Sequence, residues 1–256
     1  MTENNIQNLT EEEYRALPVE SFSSLKALLS SVHEFLHFKE NPFKGNSSTL
    51  LGTAVHHYLQ GNQNLVLVND FSRTTKEGKA KFAEFVENLP SDGVILTKAQ
   101  GDTLQSIYKN FLNSQKCVDI LKDCVFEVPH VINIEIDGSM VPVKGKVDAV
   151  NIEEGYIVEI KTSGAFFNID EFREGSKQMH YDMQAALYCY MMEDLYKRPF
   201  KHYFIVANTK APFSVERYKT SSGYLNAGMK KAKDAIRKYK KHIIDQIPED
   251  DNEVEL

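Results

Sequence analysis

The sequence contains few of the features that mark extracellular or membrane proteins. It has three cysteines in 256 residues, and this small odd number does not indicate a disulfide framework. No stretch approaches the roughly 18 consecutive apolar residues of a membrane-spanning helix. The first residues are polar and acidic, without the basic start and apolar run of a secretory signal. These absences predict a cytoplasmic protein that does not enter a membrane.

Acidic residues are scarce in one long segment, although the chain as a whole is acidic. The net charge of −6 argues weakly against nucleic-acid binding. Residues 197–241, however, contain 13 Lys and Arg residues against two acids, whereas residues 249–256 contain five acids and no base. This asymmetry is typical of a surface that contacts a polyanion, but it also fits a solvated, Lys-rich helix. The candidate DNA contacts are Lys230, Lys231, Lys233, Arg237 and Lys238.

Hydrophobic periodicity predicts one α/β domain over residues 1–256, with a central mixed β-sheet flanked by helices. No internal repeat or low-complexity linker divides the chain. The predicted parts are a helical N-terminal part over about 1–122, a sheet core over about 123–220, a Lys-rich helix over about 226–247 and an acidic tail over 249–256.

The N-terminal part contains clear helix signals and one unusual glycine. Ser21 precedes apolar residues at helical spacing, and Asn41-Pro42 ends that run. Gly52 lies inside the next helical segment, where glycine costs about 1 kcal/mol relative to alanine. This position suggests that another segment approaches the backbone closely. Further helices are predicted over residues 47–59, 75–89 and 97–121.

The pattern becomes β-rich near residue 124. Asp137-Gly138 is a strong hairpin signal, and Glu153-Glu154-Gly155 is a second turn signal. A long, mostly apolar helix is predicted over residues 177–196. Strands are predicted over residues 125–136, 140–152, 156–161, 202–208 and 213–219.

Three charged residues stand out in the second predicted hairpin. Glu159 and Lys161 are two residues apart and therefore share a face of their strand. A turn centred on Glu153-Glu154 places Asp148 opposite Glu159, whereas a turn centred one residue later places Asp148 opposite Lys161. Either register gathers two carboxylates and one ammonium on one face.

Such a cluster has two interpretations. Carboxylates on rigid strands suit Mg²⁺ or Mn²⁺, and a neighbouring lysine can orient water or stabilise phosphate charge, which together would support phosphodiester hydrolysis. The alternative is a cross-strand salt bridge on a solvated sheet. The apolar neighbours Val147, Ala149, Ile157, Val158 and Ile160 favour the first interpretation, because charges on a covered sheet need partners or a metal.

The residues resemble the PD-(D/E)XK nuclease superfamily. Asp148, eleven positions before Glu159-Ile160-Lys161, resembles its catalytic core, although Val147 replaces the usual proline. Gly52 to His56 is similar to the GxxxH motif of the RecB-type branch, and Gln184 to Tyr188 matches its QxxxY motif. The segment from Ser21 onward resembles exonuclease VIII (RecE-like) phage recombination nucleases.

The resemblance implies a role for each matching residue. His56, Asp148, Glu159 and the carbonyl of Ile160 would bind the metal ions, two Mg²⁺ or Mn²⁺ per active site. Lys161 would position or activate water. Without the motif, a core histidine packed on an apolar helix is the better interpretation of His56, and Gln184 and Tyr188 also fit a polar pair between helix and sheet. The remaining implied residues are Gln184 and Tyr188, which would support the reacting groups, and Glu127, which would assist metal or water.

The resemblance also implies an activity and partners. Relatives of this type degrade one strand of linear double-stranded DNA from 5′ to 3′, assemble as a ring and supply 3′ tails to a single-strand annealing protein. If the chain is encoded by a phage or prophage, the protein would act in the cytoplasm of the bacterial host. Three cysteines cannot hold a four-thiolate iron–sulfur cluster, so none is expected. An endonuclease, a single-strand-specific nuclease and a catalytically idle DNA-binding subunit remain alternatives.

Overall fold

A computed structural model describes residues 9–41, 45–166 and 168–249. Pro42 and almost all of the predicted acidic tail therefore lie outside the described residues. A π-helical turn, Lys240–Ile244, follows the last helix. The α-helices are α1 (Glu11–Ala16), α2 (Phe22–Ser30), α3 (Val32–Glu40), α4 (Ser47–Leu59), α5 (Lys76–Glu87), α6 (Lys98–Asn113), α7 (Gln115–Asp119), α8 (Ile169–Gln178), α9 (Tyr181–Tyr196) and α10 (Ser222–Tyr239).

Six strands form a central mixed sheet, and two short strands pair separately in parallel. In the central sheet β5 pairs with β4 and β6 in antiparallel fashion, β6 pairs with β7 in parallel, and β7 pairs with β8 in antiparallel fashion. The short β1 adds to β5 in parallel. The strands are β1 (Glu20–Ser21), β2 (Val66–Asn69), β3 (Val94–Thr97), β4 (Val125–Ile136), β5 (Ser139–Asn151), β6 (Tyr156–Ser163), β7 (Lys201–Asn208) and β8 (Val215–Lys219).

The sheet separates two main hydrophobic clusters. One cluster joins α2, α9 and α10 to β4 and β5 through residues such as Leu25, Leu187 and Val147. The other joins α4 and α6 to the opposite face through Val55 and Ile160. This arrangement confirms the predicted α/β class, a mixed sheet covered by helices on both faces.

Several predicted elements differ from the structure. The helix predicted over residues 177–196 is present as Tyr181–Tyr196 and begins later than predicted, because His180 has a left-handed φ of 57° and separates it from α8. The N-terminal part also contains the strands β1, β2 and β3, which no sequence pattern indicated. The closing helix begins at Ser222 and ends at Tyr239, earlier at both ends than predicted, and Ile247 beyond it is exposed.

Across the described ranges, no helix combines the length and the apolar character needed to cross a membrane.

Candidate active site

The candidate active site lies where β6 separates from β5. Because β4 pairs with β5 along its length, β1 and β6 share the other edge of β5. β1 pairs with Val143 and Lys144, and β6 pairs with residues 149–151. Residues 145–148 lie between these two pairings and have no strand partner on this edge of β5 among the described residues. Side chains contact the backbone of β6 there instead.

The backbone of Ile160 is contacted by side chains at this fork. Its N–H donates a hydrogen bond to Asp148 Oδ2 at 2.7 Å. Its carbonyl oxygen lies 3.1 Å from Nε2 of His56. Two sequence motifs that are about 100 residues apart therefore meet at one backbone position.

The hairpin register follows the first of the two predicted alternatives. Ala149 lies opposite Val158, and extending that register by one residue places Asp148 opposite Glu159. The shared face predicted for the two carboxylates is consistent with this register.

The strands change faces at Glu127 and Asp148. Phe126 and Ala149 are paired and pack in the α4 cluster, whereas Val128 and Val147 are paired and pack in the α9 cluster. Residues two apart on a regular strand would face the same side. Glu127, between them, has a φ of 53°, a left-handed conformation that is costly for a residue with a side chain. This irregularity brings groups from both faces of the sheet to one point.

Helix α4 supplies His56, and Gly52 allows the helix to lie close to β6. A Cβ atom at Gly52 would lie 3.1 Å from Oγ1 of Thr162, which is tighter than almost all real contacts of this kind. One turn later on the same helical face, His56 reaches Ile160. The GxxxH spacing thus has a physical reason in this fold, since glycine permits the approach that the histidine needs.

Three ligand groups converge at the fork in a way that suits a divalent ion. Potential ligand atoms of His56, Glu127 and Asp148 all lie within 4.8 Å of one another. Nδ1 of His56 is 3.8 Å from Oδ2 of Asp148. Hard oxygen donors together with one imidazole fit Mg²⁺ or Mn²⁺. Glu127, predicted as an assisting residue, therefore lies within the tightest group of candidate ligands.

Glu159 adjoins this group and has an unsatisfied oxygen. The residue is 3% exposed, and its Oε2 is buried without a hydrogen-bond partner among the described residues. An unpaired carboxylate oxygen is costly in the interior unless a ligand or ion binds it. The residues present therefore fit a bound cation.

Lys161 and Gln184 hold the other oxygen of Glu159. Oε1 of Glu159 accepts hydrogen bonds from Lys161 Nζ at 2.8 Å and from Gln184 Nε2 at 2.6 Å. Lys161 also donates to Gln184 Oε1 at 2.8 Å and lies 4.6 Å from the centre of the Tyr181 ring. Each polar group of this triangle has two partners, which fixes the direction of the ammonium group.

Tyr188 packs in the interior of the protein near Gln184. It is buried in the α9 cluster, one helical turn after Gln184, and burial raises its pKa well above the ordinary value. A Cβ atom at Gly145 would lie 2.8 Å from the Tyr188 ring, so this glycine allows α9 to lie close to β5.

The electrostatics are those of charges removed from water. Burial raises the pKa of Asp148 to about 7 and that of Glu159 to about 7. Burial lowers the pKa of His56, which keeps the imidazole neutral and able to bind a cation. For Lys161, burial alone would lower the pKa, but the charges of Glu159 and Asp148 raise it overall, so the ammonium stays protonated.

The candidate DNA-binding residues lie apart from this cluster, on α10. Lys231 donates to the buried Asp182 at the start of α9, so its ammonium is used within the fold. Lys230 and Arg237 both pair with Asp234. Lys233 is exposed, and Lys238 is partly exposed. The structure thus brings the metal and catalytic candidates together and leaves the α10 cations on a separate surface.

Three further residues of the site were not predicted from the sequence. Gln60 donates to Glu127 Oε1 at 2.8 Å, and Lys146 lies 3.0 Å from its Oε2. Tyr181 packs against Lys161. Tyr181 and Gln60 lie three and four residues from Gln184 and His56, so helical spacing from the motif residues could have indicated them.

The fold and the grouped residues define a protein of the PD-(D/E)XK nuclease type. The family model described as "PDDEXK-like domain of unknown function (DUF3799)" matches residues 21–250. The chain belongs to this family. No curated protein matches it.

A solved structure shows the same fold. The chain is similar to a "Putative exonuclease" from Eubacterium rectale, with 14% identity and a TM-score of 0.63, over 91% of this chain and 86% of that one. A weaker match is a phage related exonuclease from Haemophilus somnus, with 14% identity and a TM-score of 0.33, over 76% of this chain and 94% of that one.

Proposed function

We propose that the chain is a divalent-metal-dependent exonuclease that degrades one strand of linear double-stranded DNA from 5′ to 3′. The observation that carries this proposal is the convergence of His56, Glu127 and Asp148 at the strand fork, next to the buried Glu159 that pairs with Lys161. The description of a fold neighbour as a "Putative exonuclease" agrees with it. The polarity and the RecE-like branch derive from the sequence resemblance.

The residues suited to hold Mg²⁺ are His56, Asp148, Glu159, Glu127 and the carbonyl of Ile160. When bound, such an ion supplies Lewis-acid polarisation of the phosphate and lowers the pKa of a water.

Lys161 is suited to stabilise negative charge rather than to accept a proton. Its ammonium is protonated and is held by Glu159 and Gln184, so it is oriented before substrate binds. A fixed cation beside the scissile phosphate stabilises the charge that develops in the transition state. Gln184, which binds both Lys161 and Glu159, orients the two relative to each other.

The test uses the purified full chain, Mg²⁺ and a linear duplex labelled at one 5′ end. Early release of labelled mononucleotide supports the proposal. Cleavage of closed circular duplex would favour an endonuclease, and degradation restricted to single strands would favour that specificity. If wild type and Lys161→Ala are equally inactive while both bind DNA, the chain is a DNA-binding subunit instead.

The proposal extends to assembly. A homo-oligomeric ring would explain processive degradation by an acidic chain, and the 3′ tails would pass to an annealing protein. Mass measurement in solution tests the ring directly.

A further inference from the structure

Helix α1 precedes the family-matched region and is fixed to β5 beside the site. The buried Lys144 donates hydrogen bonds from Nζ to the carbonyls of Tyr14, Arg15 and Leu17, at 3.0, 3.0 and 2.9 Å. A lysine at the C-terminal end of a helix satisfies carbonyls that have no partner within the helix. α1 is therefore anchored by contacts that a mobile flap would lack.

Two residues along β5, Lys146 lies between two carboxylates. Its Nζ is 2.7 Å from Oε2 of Glu11 on α1 and 3.0 Å from Oε2 of Glu127. Glu127 also lies in the group of candidate metal ligands, whereas Glu11 does not. One ammonium thus contacts both a carboxylate of the site and a carboxylate from outside the family-matched region.

The charges of Glu11 and Lys146 affect how strongly Glu127 can bind a cation. An ammonium at hydrogen-bond distance offsets the negative charge with which a carboxylate attracts a cation. Glu11 gives Lys146 a second negative partner at shorter distance, so less of the charge of Glu127 is offset. Arg15 binds the other oxygen of Glu11, but its side chain is 77% exposed and is screened by solvent.

Glu11 is ionised at neutral pH. Burial alone would raise its pKa, but hydrogen bonds from Lys146 and Arg15 lower it overall. We propose that Glu11 is the counter-ion of Lys146 and keeps the charge of Glu127 available to a divalent cation. Glu11 and Lys146 are thus positioning residues of the metal site, an inference that rests on the proposed function.

The alternative role for Glu11 is inhibitory. In that role Glu11 would pair with Lys146 only until DNA binds, and α1 would then move away so that Lys146 could contact a DNA phosphate. The anchoring of α1 by the buried Lys144 favours a permanent role. The two roles predict opposite results, because loss of an inhibitory contact would strengthen DNA binding without weakening metal binding.

The experiment measures Mn²⁺ binding to the full chain without DNA, from the electron paramagnetic resonance signal of free Mn²⁺. Glu11→Gln is expected to weaken Mn²⁺ binding by about 10-fold, the lower end of the range for groups that act through the partner of a metal ligand. The control Glu12→Gln removes the same charge from an exposed position of the same helix and should stay within about twofold of wild type. Circular dichroism melting verifies that each variant is folded.

The decisive measurement is the double variant Glu11→Gln with Lys146→Met. Removing the unbalanced ammonium should restore the Mn²⁺ affinity to within about threefold of wild type, whereas a purely structural role predicts further loss. Equal binding by wild type and Glu11→Gln, or weaker binding by the double variant, overturns the inference. Tighter DNA binding by Glu11→Gln with unchanged Mn²⁺ affinity also overturns it and supports the inhibitory role. Absence of Mn²⁺ binding by wild type would instead overturn the proposed metal-dependent function.

Discussion

Charge is concentrated in two parts of the molecule, the strand fork around residues 127–161 and helix α10, and the two parts hold it differently. At the fork, Asp148 and Glu159 are buried, and Glu159 keeps an oxygen without a partner among the described residues. On α10, Lys230 and Arg237 are exposed and share Asp234 within their own helix. Buried, incompletely paired charge is costly and indicates a function, whereas exposed pairs of this kind contribute little.

The largest expected effect comes from removing one charge at the fork. Glu159→Gln keeps the shape of the side chain but loses the anionic oxygen, and we expect the rate of DNA hydrolysis to fall by about 1,000-fold or more. DNA affinity, measured by fluorescence anisotropy, should change much less. Hydrolysis at the wild-type rate would remove Glu159 from the candidate ligands.

The second prediction concerns the stability of the metal-free protein. Burial raises the pKa of Asp148 and of Glu159 to about 7, from ordinary values of 3.8 and 4.5. An acid whose pKa is raised by folding binds its proton more tightly in the folded state, so stability falls as pH rises through about 7. The melting temperature should fall by roughly 5 °C between pH 6.5 and 8.5.

Two controls isolate this effect. Asp148→Asn should flatten the pH dependence, and Mn²⁺ added at pH 8.5 should raise the melting temperature of wild type. The buried His202, whose pKa burial lowers to about 3, changes stability in the opposite direction but acts below about pH 6.5. A melting temperature that rises with pH in the tested window would contradict the assignment.

On α10, one lysine departs from the surface pattern. Lys231 pairs with Asp182, whose side chain is 3% exposed, at the start of the helix that carries Gln184. Lys231→Met leaves a buried carboxylate unpaired, and we expect a loss of about 2 kcal/mol, less than for a fully buried pair because Lys231 is partly exposed. Urea denaturation measures the change. Lys230→Met is the matched control, since its partner Asp234 is 42% exposed.

The local part of the site could be predicted from the sequence. Asp148, Glu159 and Lys161 lie in one hairpin, so a period of two and a short turn leave two registers, both of which gather the charges. His56 and Gln184 are brought to the hairpin by contacts between distant segments. Their assignment therefore depended on motif resemblance rather than on spacing.

The remaining features depend on contacts that no local pattern encodes. β1 has two residues and exists because β5 offers a free edge more than 120 positions later. The left-handed positions Glu127 and His180 are not glycines, so the usual signal for such a backbone is missing. In the sequence, Lys146 has no feature that distinguishes it from other strand lysines. Its ion pairs with Glu11 and Glu127 are visible only in the folded structure.

A substitution of Gly52 tests whether the geometry of the fork matters independently of its charge, because it changes no charged group. Gly52→Ala adds a Cβ atom 3.1 Å from Thr162 Oγ1, which would displace His56 relative to Ile160. We expect about tenfold slower hydrolysis without loss of stability, since alanine favours the helix by about 1 kcal/mol. Adding Thr162→Ala removes the clashing oxygen and should restore most of the rate. Failure of this rescue would show that the glycine serves another purpose.

The smallest effect is expected at Lys233, which is exposed on the same helix as Lys231. If α10 contacts DNA phosphates, Lys233→Met removes one contact and should reduce the slope of log affinity against log salt by about 1, while stability changes by less than about 0.5 kcal/mol. Anisotropy titrations at several salt concentrations measure the slope. An unchanged slope would leave α10 as a solvated face on which the partly exposed Lys231 supports α9. The charge asymmetry of the sequence would then reflect solvation, and the fork alone would carry the chemistry.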